Sequence, residues 1–130
     1  MTEEDRKLLL KDLSARLLYG IICDDGYGNV LELNGIDKPN TATFKCFDKT
    51  FWTTDLDKCK PYLFPLSSMT KEQEKEFNQL LELELKAISD EIDHPQITAF
   101  EIDFYNKHHF DWRGLISIGL ALDATDKNIY

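Results

Sequence analysis

The residue pattern predicts an α+β protein, a small antiparallel β-meander of three or four strands packed against an N-terminal helix and C-terminal helices. Three observations carry this expectation. Leu9, Leu13 and Leu17 recur every four residues with Leu10 and Leu18 beside them, the period of one helix face turned to a core. From Tyr19 the chain changes to β-branched and aromatic runs separated by turn-rich stretches. Beyond Pro65 the apolar residues return to helical spacing, with Phe77, Leu81, Leu85, Ile88 and Ile92 on one face.

The first helix is expected from Thr2 to Tyr19. Thr2 supplies an N-cap hydroxyl, Glu3, Glu4 and Asp5 complement the positive end of the helix dipole, and Gly20 is placed to end the run. Ile21-Ile22-Cys23 and Val30-Leu31-Glu32-Leu33 flank the turn-rich Asp24 to Asn29, which reads as a hairpin. Thr41 to Phe47 reads as a third strand and Thr50 to Thr54 as a short fourth. Lys60 to Met69 carries Pro61 and Pro65, which exclude a regular helix and a central strand, so the segment is expected to cross the surface or a groove in extended form with its aromatic and leucine side chains tucked inward.

Thr70 with Gln73 forms the pattern of a capping box, opening a second helix to about Ile92 that Asp93-His94-Pro95 should stop. Ile97 to His109 fits either element: Ile102 and Phe104 can alternate on a strand, while Phe100, Phe104 and Tyr105 can line a helix, the reading favoured here. Asp111 is placed to cap a short turn through Ile116, with Gly119 ending it.

With 130 residues, 42% of them apolar and 12% aromatic, the chain is long enough and rich enough to bury one core, so a single domain over residues 1–130 is expected. The acidic Met1 to Asp5 is followed by no apolar signal region, and no apolar run approaches the roughly 20 residues a membrane span needs, so a cytoplasmic protein without membrane contact is expected. Cys23, Cys46 and Cys59 are odd in number and show no CxxC spacing, which reads as reduced thiols. The net charge of −9 disfavours direct nucleic-acid binding. Most of that excess lies between residues 72 and 103, where ten acids face only Lys75 and Lys86.

Three stretches, Met1 to Leu13, Lys60 to Thr70, and Phe104 to Ile116 continuing into Gly119 to Leu122, resemble a family of short uncharacterised proteins of gut Bacteroides-type bacteria and their phages and mobile elements. The family has no assigned activity, cofactor or catalytic residue. The resemblance implies only a bacterial or phage cytosolic setting.

No catalytic set, metal site or cofactor site is read from the sequence. His108, His109, Asp111, Trp112 and Arg113 form its one concentrated group and the candidate interaction surface. Histidines with a carboxylate are metal-ligand and proton-transfer types, but neighbouring histidines point to different faces, so at most one can join Asp111. The structural alternative has Asp111 accepting backbone N–H bonds, Arg113 pairing with an acid or carbonyl, and Trp112 packing. The acids of the second helix could imitate a nucleic-acid backbone and occupy a DNA-binding enzyme, yet Lys71, Lys75 and Lys86 interrupt them as on an ordinary solvated face. A protein-interaction module is therefore the favoured function, with a protein as partner. A small enzyme or metal-binding protein using His108 or His109 with Asp111 is the alternative.

Overall fold

The computed structural model describes residues 2–37, 41–46, 51–87 and 94–130. Helix α1 spans Glu3–Arg16 and opens on a capping box, with Asp5 N–H donating to Thr2 Oγ1 at 3.0 Å. A 3₁₀ turn at Leu17–Tyr19 follows, and Gly20 ends it in the left-handed region at φ +71°. Leu9 and Leu13 are fully buried, but Leu18 is 94% exposed, which corrects its expected place on the core stripe. Tightening to the 3₁₀ form rotates the last turn away from that stripe.

Strands β1 (Ile22–Asp24), β2 (Val30–Asp37), β3 (Thr41–Lys45) and β4 (Phe51–Asp55) form the expected antiparallel meander. The loop after β1 closes on Asp25, which is buried. Its Oδ1 accepts from Tyr27 N–H at 2.8 Å and Asn29 N–H at 3.1 Å, and its Oδ2 from Asn29 Nδ2 at 2.8 Å. Burial pushes this carboxyl up, but those hydrogen bonds outweigh it and hold Asp25 below the ordinary carboxylate range. Gly26 sits at φ +84°, where a Cβ would lie 2.7 Å from the Lys58 carbonyl oxygen, so glycine is required twice over.

The sheet then exceeds the meander. Lys60–Leu63 is strand β5, paired antiparallel with β1, and Leu122–Asp123 is strand β6, paired parallel with β5, giving the order β4-β3-β2-β1-β5-β6. This corrects the exclusion of a central strand from the proline segment, while its extended form and the inward placement of Tyr62 and Leu63 are as expected. The parallel pairing starts at Tyr62, one residue after Pro61, so Pro61 has a ladder neighbour only on the β1 side, where it sits opposite Cys23. A proline is tolerated there as at an edge.

Helix α2 (Lys71–Ala87) opens on the expected capping box between Thr70 and Gln73. Helix α3 (His94–Lys107) resolves the ambiguous segment as helix. The two helices meet through Phe77, whose ring lies 5.7, 5.0 and 6.0 Å from those of Phe100, Phe104 and Tyr105. The expected continuation of α2 through Ile88 and Ile92, the stop at Asp93, and the strand ends at Phe47 and Thr50 lie outside the described residues.

One face of the sheet carries Cys23, Leu33, Ala42 and Phe44 into a cluster with Leu9, Leu13, Leu56, Cys59, Leu63, Leu115 and Leu120. The other face shows Glu32, Asn34, Lys45 and Thr53 to water. All three cysteines are free thiols, Cys23 and Cys59 within the core and Cys46 half-buried.

Inside this apolar layer lies an ion pair that hydrophobic periodicity does not announce. Asp12 and Arg16 are fully buried, one turn apart on α1, with Arg16 Nε 2.9 Å from Asp12 Oδ2. Arg16 Nη2 donates to the Phe110 carbonyl at 2.6 Å, and Arg113 Nε reaches the other Asp12 oxygen at 3.2 Å. Asp12→Ala leaves Arg16 buried without its counter-ion, so a loss of about 3–5 kcal/mol is expected in urea unfolding. The double change Asp12→Leu with Arg16→Met should recover a large part of that loss, because it removes both desolvation costs.

Candidate functional site

The C-terminal group is assembled by the end of α3. The Phe110 N–H donates to the Tyr105 carbonyl at 2.8 Å and the His109 N–H to the Asn106 carbonyl at 3.2 Å, the bond pair of a Schellman motif. His109 therefore occupies the left-handed position at φ +62°, where glycine is usual. Phe64 N–H donates to the His109 carbonyl and Asp111 N–H to the Phe64 carbonyl, both at 2.8 Å, which lays the chain alongside the end of β5.

The five sequence-selected residues are drawn into the fold individually. Asp111 accepts from Leu115 N–H at 2.7 Å on Oδ1 and from Ile116 N–H at 2.9 Å on Oδ2, so both of its oxygens cap the following turn. Trp112 is half-buried and donates through Nε1 to Asn106 Oδ1 at 2.9 Å, while the Arg113 guanidinium stacks 4.0 Å over its ring. His108 packs 4.6 Å from the Phe104 ring, with Nε2 3.5 Å from Glu76 Oε1 on α2. His109 turns the other way and stacks on Tyr130 with ring centroids 3.7 Å apart. The two histidines thus diverge, and neither is brought to Asp111. Among the described residues no group of three or more His, Cys, Asp or Glu side chains could hold a metal ion.

Tyr130 is a residue that sequence reasoning passed over. Its hydroxyl accepts from the Ile22 N–H at 3.0 Å and donates to the Tyr62 carbonyl at 2.7 Å, joining β1 to β5, and burial pushes the phenol up from its ordinary range. Its only sequence signal is a large amphipathic ring in a tail that is polar apart from Ala124 and Ile129.

A second candidate lies at the opposite edge of the sheet. Strand β4 pairs with β3 along its full length, from Lys45 opposite Phe51 to Thr41 opposite Asp55, and no strand among the described residues pairs with its other side. A groove of about 420 Å³ follows it, lined by Tyr27, Thr41, Trp52, Thr53, Thr54 and Asp55. Trp52 and Tyr27 meet edge to face at 6.1 Å and stay 43% and 55% exposed. Lys58 Nζ donates to the Tyr27 hydroxyl at 2.7 Å and fixes that ring. Thr54 is buried, and its Oγ1 has no partner among the described residues.

On α2, Glu72, Glu74 and Glu82 are exposed beside exposed Lys71 and Lys75, a mixed-charge surface. Among the described residues no helix is long and apolar enough to cross a membrane. No family model, curated protein or solved structure matches the chain.

Burial, and after it the nearby Arg16 guanidinium, lowers the pKa of His109 from 6.5 to about 4. The unfolded chain then binds the extra proton first, so the contribution of neutral His109 is complete above about pH 6.5 and is lost progressively down to about pH 4. His109→Asn, which tolerates the left-handed backbone, should flatten the pH dependence of urea unfolding across that interval. An unchanged slope would place the imidazole in water.

Proposed function

We propose that this protein is a protein-interaction module whose recognition surface is the open edge of β4. The observation that carries the reading is the chemistry of that edge. Soluble proteins blunt edge strands with lysine, proline, bulges or shortness. Phe51-Trp52-Thr53-Thr54-Asp55 has no lysine and no proline, consists of residues with high strand preference apart from its last, and keeps a regular register with β3. The opposite edge, β6, is only two residues long. Among the described residues one edge is protected by brevity and the other is left ready to pair.

An added strand satisfies the outward N–H and C=O groups of β4, and Trp52 with Tyr27 supplies the aromatic contact that gives such pairing its selectivity. The threonine hydroxyls and Asp55 of the groove add polar contacts at the rim. His108, His109, Asp111, Trp112 and Arg113 support the module from half-buried positions, by fixing the end of α3 to β5 and to α1. The reduced thiols agree with a cytosolic setting, the one the family resemblance implies.

Thr53 is exposed on the solvent face, so Thr53→Lys places a charge on the edge without entering the core. Proteins recovered from a cell lysate with tagged wild type, untagged copies of the chain included, should be retained by an Asp123→Lys control on β6 and lost with Thr53→Lys. Equal recovery by both variants would remove β4 from the interaction.

A further inference from the structure

We infer that the strand completing β4 is β4 of a second copy of this chain, paired antiparallel about a two-fold axis through Thr53. The inference rests on the reading of β4 as the interaction edge and goes further by naming the occupant.

The sequence of the strand is complementary to itself in this arrangement. An axis through Thr53 sets Thr53 opposite Thr53, Trp52 opposite Thr54, and Phe51 opposite Asp55. Asp55, the one charged residue of the strand, meets an uncharged residue rather than its own copy, so the pairing avoids the like-charge juxtaposition that destabilises cross-strand pairs. Threonine opposite threonine and an aromatic opposite a β-branched residue are both favourable cross-strand pairs.

The backbone agrees. In an antiparallel ladder alternate residues turn both N–H and C=O to the same side, so either the odd or the even residues of β4 face outward. An axis through residue 53 matches odd with odd and even with even. Whichever set faces out therefore meets its own kind, and about four to six inter-strand hydrogen bonds form. A shift of one residue would pair outward groups with inward ones.

Side chains directly opposite share a face of the sheet. Trp52 of each copy thus lies on the core side against the other copy's Thr54, the buried residue whose Oγ1 has no partner among the described residues. The two six-stranded sheets become one continuous sheet of twelve strands. Each chain carries −9, so the approach is opposed by net charge while the edge itself is nearly neutral. Association should accordingly strengthen as salt rises.

Purified wild type should sediment as a concentration-dependent dimer, with a larger dimer fraction at 0.5 M than at 0.05 M sodium chloride. Thr53→Lys and Thr53→Glu, each shown folded by its thermal transition, should each weaken self-association about tenfold, because like charges face each other across the axis. An equimolar mixture of the two should restore the dimer, since lysine then faces glutamate. Monomeric wild type at all concentrations would overturn the second copy as occupant, while the lysate comparison separately decides whether β4 binds another protein. A dimer unaffected by either charge variant, or variants that the mixture fails to rescue, would also overturn it.

Discussion

The buried pair of Asp12 and Arg16 is the constraint to which the rest of the fold answers. Placing both charges in an apolar layer is costly unless every donor and acceptor is engaged. Asp12 meets that demand with both oxygens, one toward Arg16 and one toward Arg113, while Arg16 adds the Phe110 carbonyl and leaves only its Nη1 without a partner among the described residues. The first helix is thereby held to a segment nearly a hundred residues later, and the turn from Asp111 to Leu120 must run where Arg113 can reach inward. Apolar packing alone would leave that segment many ways to lie against α1. The ion pair selects one.

The segment pays a local strain for this placement. His109 adopts a left-handed backbone conformation in which a side chain is disfavoured, and its ring is compensated by stacking on Tyr130. Tyr130 in turn bridges β1 and β5 through its hydroxyl. The end of α3, the added strand β5 and the tail therefore support one another, with Phe64 packed at 6.5 Å from Phe110 and 5.8 Å from Tyr130. Side chains that look reactive in a linear reading are here turned to closing a joint between helix and sheet.

The legible parts of the fold were those set by local chemistry. Thr2 and Gln73 mark helix starts through hydroxyl and amide groups that act within three residues, and the meander follows from alternating β-type runs between turn residues. What escaped depends on distant partners. Pro61 is tolerated inside the sheet because β6 begins its pairing one residue later, a fact set by residues some sixty positions away. Asp12 and Arg16 lie within the leucine-rich helix and look like solvent-facing charges until Phe110 and Arg113 are in place. In the C-terminal group, the capping by Asp111, the pairing of Arg113 with an acid and the turning of the adjacent histidines to different faces were foreseeable, whereas the left-handed turn at His109 and its stacking on Tyr130 were not. The β4 edge was recognisable as a strand, but only sheet order reveals which strands lack a second neighbour.

The contact between Arg16 and Phe110 joins residues 94 positions apart, and that between Ile22 and Tyr130 spans 108. Closing such loops costs entropy before any contact is gained, so these bonds carry a larger closure cost than those within the helix and the meander. During synthesis, the first helix and strands emerge long before the carbonyl and the arginine that complete the charge cluster. Until then the growing chain holds a helix with an incompletely satisfied ion pair and a sheet with two open sides. A chain interrupted before Leu122 would leave the outer side of β5 without β6, and β1 and β5 without the bridge that the Tyr130 hydroxyl makes between them.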